Sequence, residues 1–206
     1  MTTPSAAVGA STALIARQAI VNSEKSVIGY ELFNRSRAPA EHTAASDVLK
    51  VFTAMTDAGT EDIMGDKLLF VNCTHESLAG GHLELLDPSK IVLEIQDLGH
   101  SASAEAHLRL PMLETLKQRG FKLSFGHFVL DSVYAGWLAL ANYIKLDLTV
   151  LPRDQWLVLI QYAQKHSTAQ LIATKMETVE QFELLQQIWI KLFQGFLFAL
   201  SFVFEA

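Results

Sequence analysis

The chain predicts a compact, degenerate (β/α)8 TIM-like barrel opened by an N-terminal antiparallel hairpin. Three observations carry this. Short runs rich in β-branched and aromatic residues recur along the 206 residues, separated for the most part by helix-like stretches. Strands that alternate with helices pair in parallel and are buried on both faces. Most of the runs end in one polar residue, as barrel strands do where they open onto a site. A doubly wound open sheet is the alternative. Such barrels typically need about 250 residues, so some helices here must be short or missing.

The elements follow in order. Residues 14–21 and 26–33 read as strands, and Asn22-Ser-Glu-Lys25 between them suits a turn, so the two pair as a hairpin. Ser46 caps a helix with Val48, Leu49, Phe52 and Met55 on one face, and Gly59 closes it. Residues 68–72 and 91–95 are strands. A helix over 111–119 has Pro111 in its first turn and Gly120 past its end. Residues 121–125 form a strand, followed by a helix near 133–141. Residues 143–147 form the next strand, followed by a helix over 153–165. A short strand over 171–174, a helix near 179–188 and a last strand over 190–193 complete the series.

Composition narrows the function. Half the residues are apolar, 18% are charged and the net charge is −6, with no basic run. Binding to long nucleic acid needs a cationic footprint, which is missing. One small phosphorylated ligand needs only a few local donors. The longest apolar stretch, Phe196-Leu-Phe-Ala-Leu-Ser-Phe-Val-Phe204, is far shorter than the roughly 20 residues of a membrane span. Residues 1–12 read as a flexible leader without the basic start and apolar core of a signal peptide. The single cysteine, Cys73, excludes an internal disulfide and fits a reducing cytoplasm.

The strand ends collect the candidate chemistry. Glu31, Asn72, Glu94, Lys145 and Asp147 fall there, Glu177 follows the strand at 171–174, and Gln194 follows the last one. Two carboxylates and an amide oxygen suit a hard cation such as Mg²⁺ or Mn²⁺. Taken singly, each residue also suits an ordinary structural role: a solvated acid, a turn asparagine, a surface lysine. The joint pattern is what points to a site.

The same residues resemble the EAL family, barrel enzymes that hydrolyse cyclic di-GMP. Gln18 stands in Arg-Gln-Ala-Ile where the family has Gln-Pro-Ile. Gly29-Tyr-Glu-Leu-Phe-Asn-Arg35 resembles its G-x-E-x-L-x-R signature. Val71-Asn-Cys-Thr74, Leu93-Glu-Ile-Gln-Asp97, Tyr143-Ile-Lys-Leu-Asp147, Met176-Glu-Thr178 and Gln194-Gly-Phe-Leu-Phe198 resemble further family motifs, in the same order. The segment from Ser46 to Leu78 resembles the branch in which a divergent EAL barrel precedes an HDOD domain. The resemblance implies an EAL-type barrel over 13–206. It implies metal ligands at Glu31, Asn72 and Glu94, with His127 as a fourth candidate, ligand contacts from Gln18, Arg35 and Gln194, and catalytic roles for Lys145 and Glu177 if the chain is active.

One departure dominates. The family's two bridging aspartates correspond to Gly126 and His127, and its glycine-rich loop to Phe128-Val-Leu-Asp-Ser132. Glycine offers no ligand, and imidazole binds Mg²⁺ poorly. A histidine between Phe125 and Phe128 also fits a buried structural position. The expectation is an inactive module of cyclic-di-GMP signalling in the cytoplasm. No cofactor is expected for its function, Mg²⁺ or Mn²⁺ at most at a residual site. Its partner would be cyclic di-GMP, another protein, or a C-terminal HDOD-type domain. An active phosphodiesterase and a purely structural scaffold are the alternatives.

Overall fold

A computed structural model describes residues 15–34, 66–79, 81–147 and 149–199. The leader over 1–12, the helix expected after Ser46, Arg35 and the tail beyond residue 199 lie outside these.

Eight strands close into a barrel in sequence order. They are β1 (Ile15–Asn22), β2 (Val27–Asn34), β3 (Leu68–Cys73), β4 (Ile91–Ile95), β5 (Lys122–Gly126), β6 (Tyr143–Asp147), β7 (Gln170–Thr174) and β8 (Leu192–Gln194). β1 runs antiparallel to both β2 and β8, and all other pairs are parallel. Closure excludes the doubly wound sheet. The expected hairpin is present. The Asn22 side chain accepts hydrogen bonds from the backbone N–H groups of Glu24 and Ser26, which pins its turn.

Strand alternation explains the interior. Ile20, Phe70, Val92, Tyr143, Ile172 and Leu192 form one small buried apolar cluster that fills the barrel. Two residues further along β3, β4, β6 and β8, on the same face, come Asn72, Glu94, Lys145 and Gln194. The barrel is thus apolar below and polar at the strand ends. A larger cluster, with Leu93, Leu123, Ile144 and Trp137, packs strands against helices on the outside. Trp137 is buried and its indole N–H donates to Ala106 O at 2.9 Å. Trp189, by contrast, is exposed.

Five α-helices are described: α1 (Ala102–Gln118), α2 (Ala135–Leu138), α3 (Trp156–His166), α4 (Val179–Gln187) and α5 (Phe196–Ala199). Three expectations need correction. α1 starts nine residues before Pro111, which lies inside it. Pro111 and His107 both face solvent, so water can satisfy the carbonyl that the missing proline N–H leaves free. The helix expected near 133–141 is a 3₁₀ turn at Ser132–Tyr134 followed by the single turn α2. The last strand is shifted to Leu192–Gln194, so Gln194 ends it rather than following it. Among the described residues between β3 and β4, the helical segments are the 3₁₀ turns Ser77–Ala79 and Gly81–Leu85, which is how a barrel fits this length.

α4 begins at a full capping box. Thr178 Oγ1 accepts from the Gln181 N–H at 3.2 Å, and Gln181 Oε1 accepts from the Thr178 N–H at 3.1 Å. Thr178→Ala should cost about 1 kcal/mol, the usual worth of such a cap. Urea denaturation with an unchanged m-value checks this.

Candidate functional site

The strand ends bring six of the expected side chains into one hydrogen-bonded cluster. Pairing aligns Gln18 with Glu31, Asn72 with Glu94, and Gly126 with Lys145. Lys145 Nζ lies 2.6 Å from Glu31 Oε2 and 2.5 Å from Glu94 Oε1. Asn72 Nδ2 donates to Glu31 Oε1 at 2.8 Å. Gln194 Nε2 donates to Glu31 Oε2 at 2.5 Å and to Gln18 Oε1 at 3.1 Å. Both oxygens of Glu31 are therefore engaged by N–H donors.

Burial sets the charges. Glu31, Glu94 and Gln194 are buried, and the Lys145 side chain is only 16% exposed. Burial pushes Glu94 up to about 8; Lys145 opposes this, and the Glu31 charge adds to it. Burial also acts upward on Glu31, but the Lys145 charge and hydrogen bonds from Lys145 and Gln194 outweigh it and hold Glu31 below the usual carboxylate range. For Lys145 burial works downward, and the two carboxyl groups more than reverse it, so its pKa is raised. These opposed shifts favour one buried ion pair, Lys145 with Glu31, beside a Glu94 carboxyl that holds its proton more tightly than an exposed one.

Two further candidates stand apart. His127 opens a half-buried 3₁₀ turn after β5, and no hydrogen bond joins it to the cluster among the described residues. Glu177 is exposed on the β7–α4 loop, where its backbone N–H donates to Gln181 Oε1 at 2.9 Å. Cys73 is buried, and burial together with the Glu94 charge pushes its thiol pKa up, which leaves it inert.

Sequence reading missed two members of this region. Ser124 is fully buried, with Oγ 3.5 Å from Glu94 Oε1. Its place two residues before Gly126, on the same strand face, was the available signal. Phe128 is the other. A Cβ added at Gly126 would lie 3.1 Å from the Phe128 ring, so that ring would have to give by a few tenths of an ångström to admit a side chain at 126. Phe128 packs edge-on against Phe125 and Tyr134. Tyr134 in turn donates to Asp97 Oδ1 and accepts from the Leu98 N–H, tying the loop after β5 to the end of β4.

The divalent ion implied by the resemblance can be tested against this donor set. Mg²⁺ needs near-octahedral oxygen ligands at about 2.0–2.1 Å, and Mn²⁺ favours similar oxygen donors. Here Asn72 turns its amide nitrogen toward Glu31, an ammonium stands between the two carboxyl groups, and Gly126 contributes nothing. Among the described residues, no three His, Cys, Asp or Glu side chains are grouped to hold a metal. As arranged, the residues do not fit such an ion. Among the same residues, no helix is long and apolar enough to cross a membrane.

No family model matches the chain. A curated relative, the cyclic di-GMP phosphodiesterase CdgJ of Vibrio cholerae, is 23% identical over 197 residues, covering 91% of this chain. The chain spans only 44% of that relative's length. An EAL domain protein from Listeria monocytogenes matches with a TM-score of 0.64 at 17% identity, covering 90% of this chain and 86% of that one. The manganese and cyclic-di-GMP complex of Klebsiella pneumoniae BlrP1 matches with a TM-score of 0.67 at 23% identity, over 89% of this chain and 54% of that one. Closed in sequence order, with a reversed first strand and these likenesses, the chain has the barrel fold of the EAL domains it is similar to.

Proposed function

We propose that the chain is a catalytically inactive EAL-type module of cyclic-di-GMP signalling, with the polar ring at the strand ends as its ligand face. One observation supports this above the others: β5 ends at Gly126 and His127 follows it, and the Phe128 ring packs close beside residue 126. Two-metal hydrolysis clamps the attacking and leaving oxygens between ions that share carboxylates. Without a carboxylate at either position, several kcal/mol of transition-state stabilisation is lost. Each 1.4 kcal/mol is about tenfold in rate, so the expected turnover is negligible.

Recognition is a separate property from scission. Gln18 and Gln194 present carboxamides beside the cluster, and Arg35, outside the described residues, would pair with a phosphate oxygen. The output would pass to a protein partner or to an HDOD-type domain in a longer parent chain, in the cytoplasm.

Calorimetry with cyclic di-GMP in EDTA should give saturable heat with one-to-one stoichiometry. No heat with the folded protein would leave only a scaffold. The name of the Vibrio cholerae relative favours a second reading, an active phosphodiesterase using Lys145 and Glu177. Linear dinucleotide formed with Mg²⁺ or Mn²⁺, and absent in Glu31→Ala, would overturn the first reading in favour of the second.

A further inference from the structure

Among the described residues, three acidic side chains on the barrel strands each meet a lysine of this chain. Lys145 reaches Glu31 and Glu94 at 2.6 and 2.5 Å, and Lys175 Nζ lies 2.7 Å from Asp147 Oδ2. We propose that Lys145 is the resident cation of the site. Its ammonium stands where a divalent ion would sit between Glu31 and Glu94, and any such ion must displace it.

The physical case rests on burial and tethering. An ionised carboxylate taken out of water needs a compensating cation, and a raised pKa lowers that need. The side chains of Glu31 and Glu94 are 9% and 7% exposed, and the Lys145 ammonium supplies the charge from within hydrogen-bond distance of both. β6 is paired with β7 along its whole length and with β5 from Tyr143 to Lys145, so the barrel fixes the backbone from which this ammonium reaches the site. A tethered group binds at a high effective concentration and loses little freedom, whereas a free ion has no such advantage. Displacement also carries a penalty. The Phe70 ring, whose centroid lies 5.8 Å from Lys145 Nζ, is a weak substitute for two carboxyl groups. Asn72 and Gln194 would in addition have to withdraw their N–H donors from Glu31 before both its oxygens could turn to a metal. The tethered ammonium needs no nucleotide to be present.

Manganese titration of the full chain without nucleotide, with free Mn²⁺ followed by electron paramagnetic resonance, tests this. The wild-type protein should show no saturable site. Lys145→Met should take up one Mn²⁺ at least about tenfold more tightly than wild type, lose it again when Glu31→Gln is added, and melt at a higher temperature with Mn²⁺ than without. Should Lys145→Met prove insoluble, Lys145→Gln is judged by the same criteria. Stoichiometric uptake by the wild-type protein that Glu31→Gln abolishes would overturn the proposal. So would a folded Lys145 variant that binds no more Mn²⁺ than wild type.

Discussion

Gly195→Ala is expected to destabilise the protein by on the order of 3 kcal/mol, about 6–12 °C in melting temperature for a domain of this size. It should also release Gln194 from Glu31. A Cβ at residue 195 would lie 2.2 Å from Met176 N and 2.3 Å from Met176 O. Both are backbone atoms, so no side-chain rotation relieves the overlap. The two segments are also stitched together: the Met176 N–H donates to Gln194 O at 3.0 Å, and the Leu197 N–H donates to Met176 O at 3.1 Å. Separating them breaks two backbone hydrogen bonds worth about 1 kcal/mol each and leaves their partners badly placed. Because Gln194 is the residue just before the glycine, the shift carries its carboxamide away from Glu31 and Gln18. Urea denaturation reads the first effect, and weakened calorimetric binding of cyclic di-GMP by the folded fraction reads the second. Wild-type stability in Gly195→Ala would show that the close approach to Met176 is not required.

The barrel was legible because several strands carry their own signal. Phe70 then Asn72, Val92 then Glu94, and Tyr143 then Lys145 place an apolar residue and, two positions on, a polar one on the same face. That spacing marks both the strand and its open end without any knowledge of the neighbours. The hairpin was legible for a similar reason, since Asn22 makes its turn locally. What escaped depends on how the folded chain packs and on which faces meet solvent. Pro111 looks like a helix start, and only the solvent-facing side of α1 shows why the helix can run through it. Glu31, Asn72, Glu94 and Lys145 read equally well as metal ligands around a free lysine. Register and closure decide instead that the ammonium enters between the carboxyl groups. The role of Phe128 was invisible because it depends on the loop folding back over Gly126.

Raising the pH from 5 to 8 in EDTA should lower the stability of the wild-type protein relative to Glu94→Gln, by on the order of 1 kcal/mol per pH unit. Burial lifts the Glu94 carboxyl from an ordinary 4.5 to about 8. Between these values the native state holds a proton that the unfolded chain has lost, so unfolding releases a proton. Higher pH therefore favours unfolding throughout that window. Below about 4.5 both states are protonated, and above about 8 both are ionised, so the difference from Glu94→Gln should flatten at each end. The neighbours do not create a competing slope there. Glu31, held low beside Lys145, stays ionised, and Lys145, raised by the two carboxyl groups, stays charged. His75 works in the opposite direction, since burial depresses its pKa and its contribution grows as pH rises through about 6.5. The variant retains His75, so the comparison cancels it. Urea midpoints at half-unit pH steps give the measurement. A wild-type profile parallel to that of Glu94→Gln would mean that Glu94 is ionised in the folded protein at neutral pH. Lys145 would then balance two negative charges rather than one.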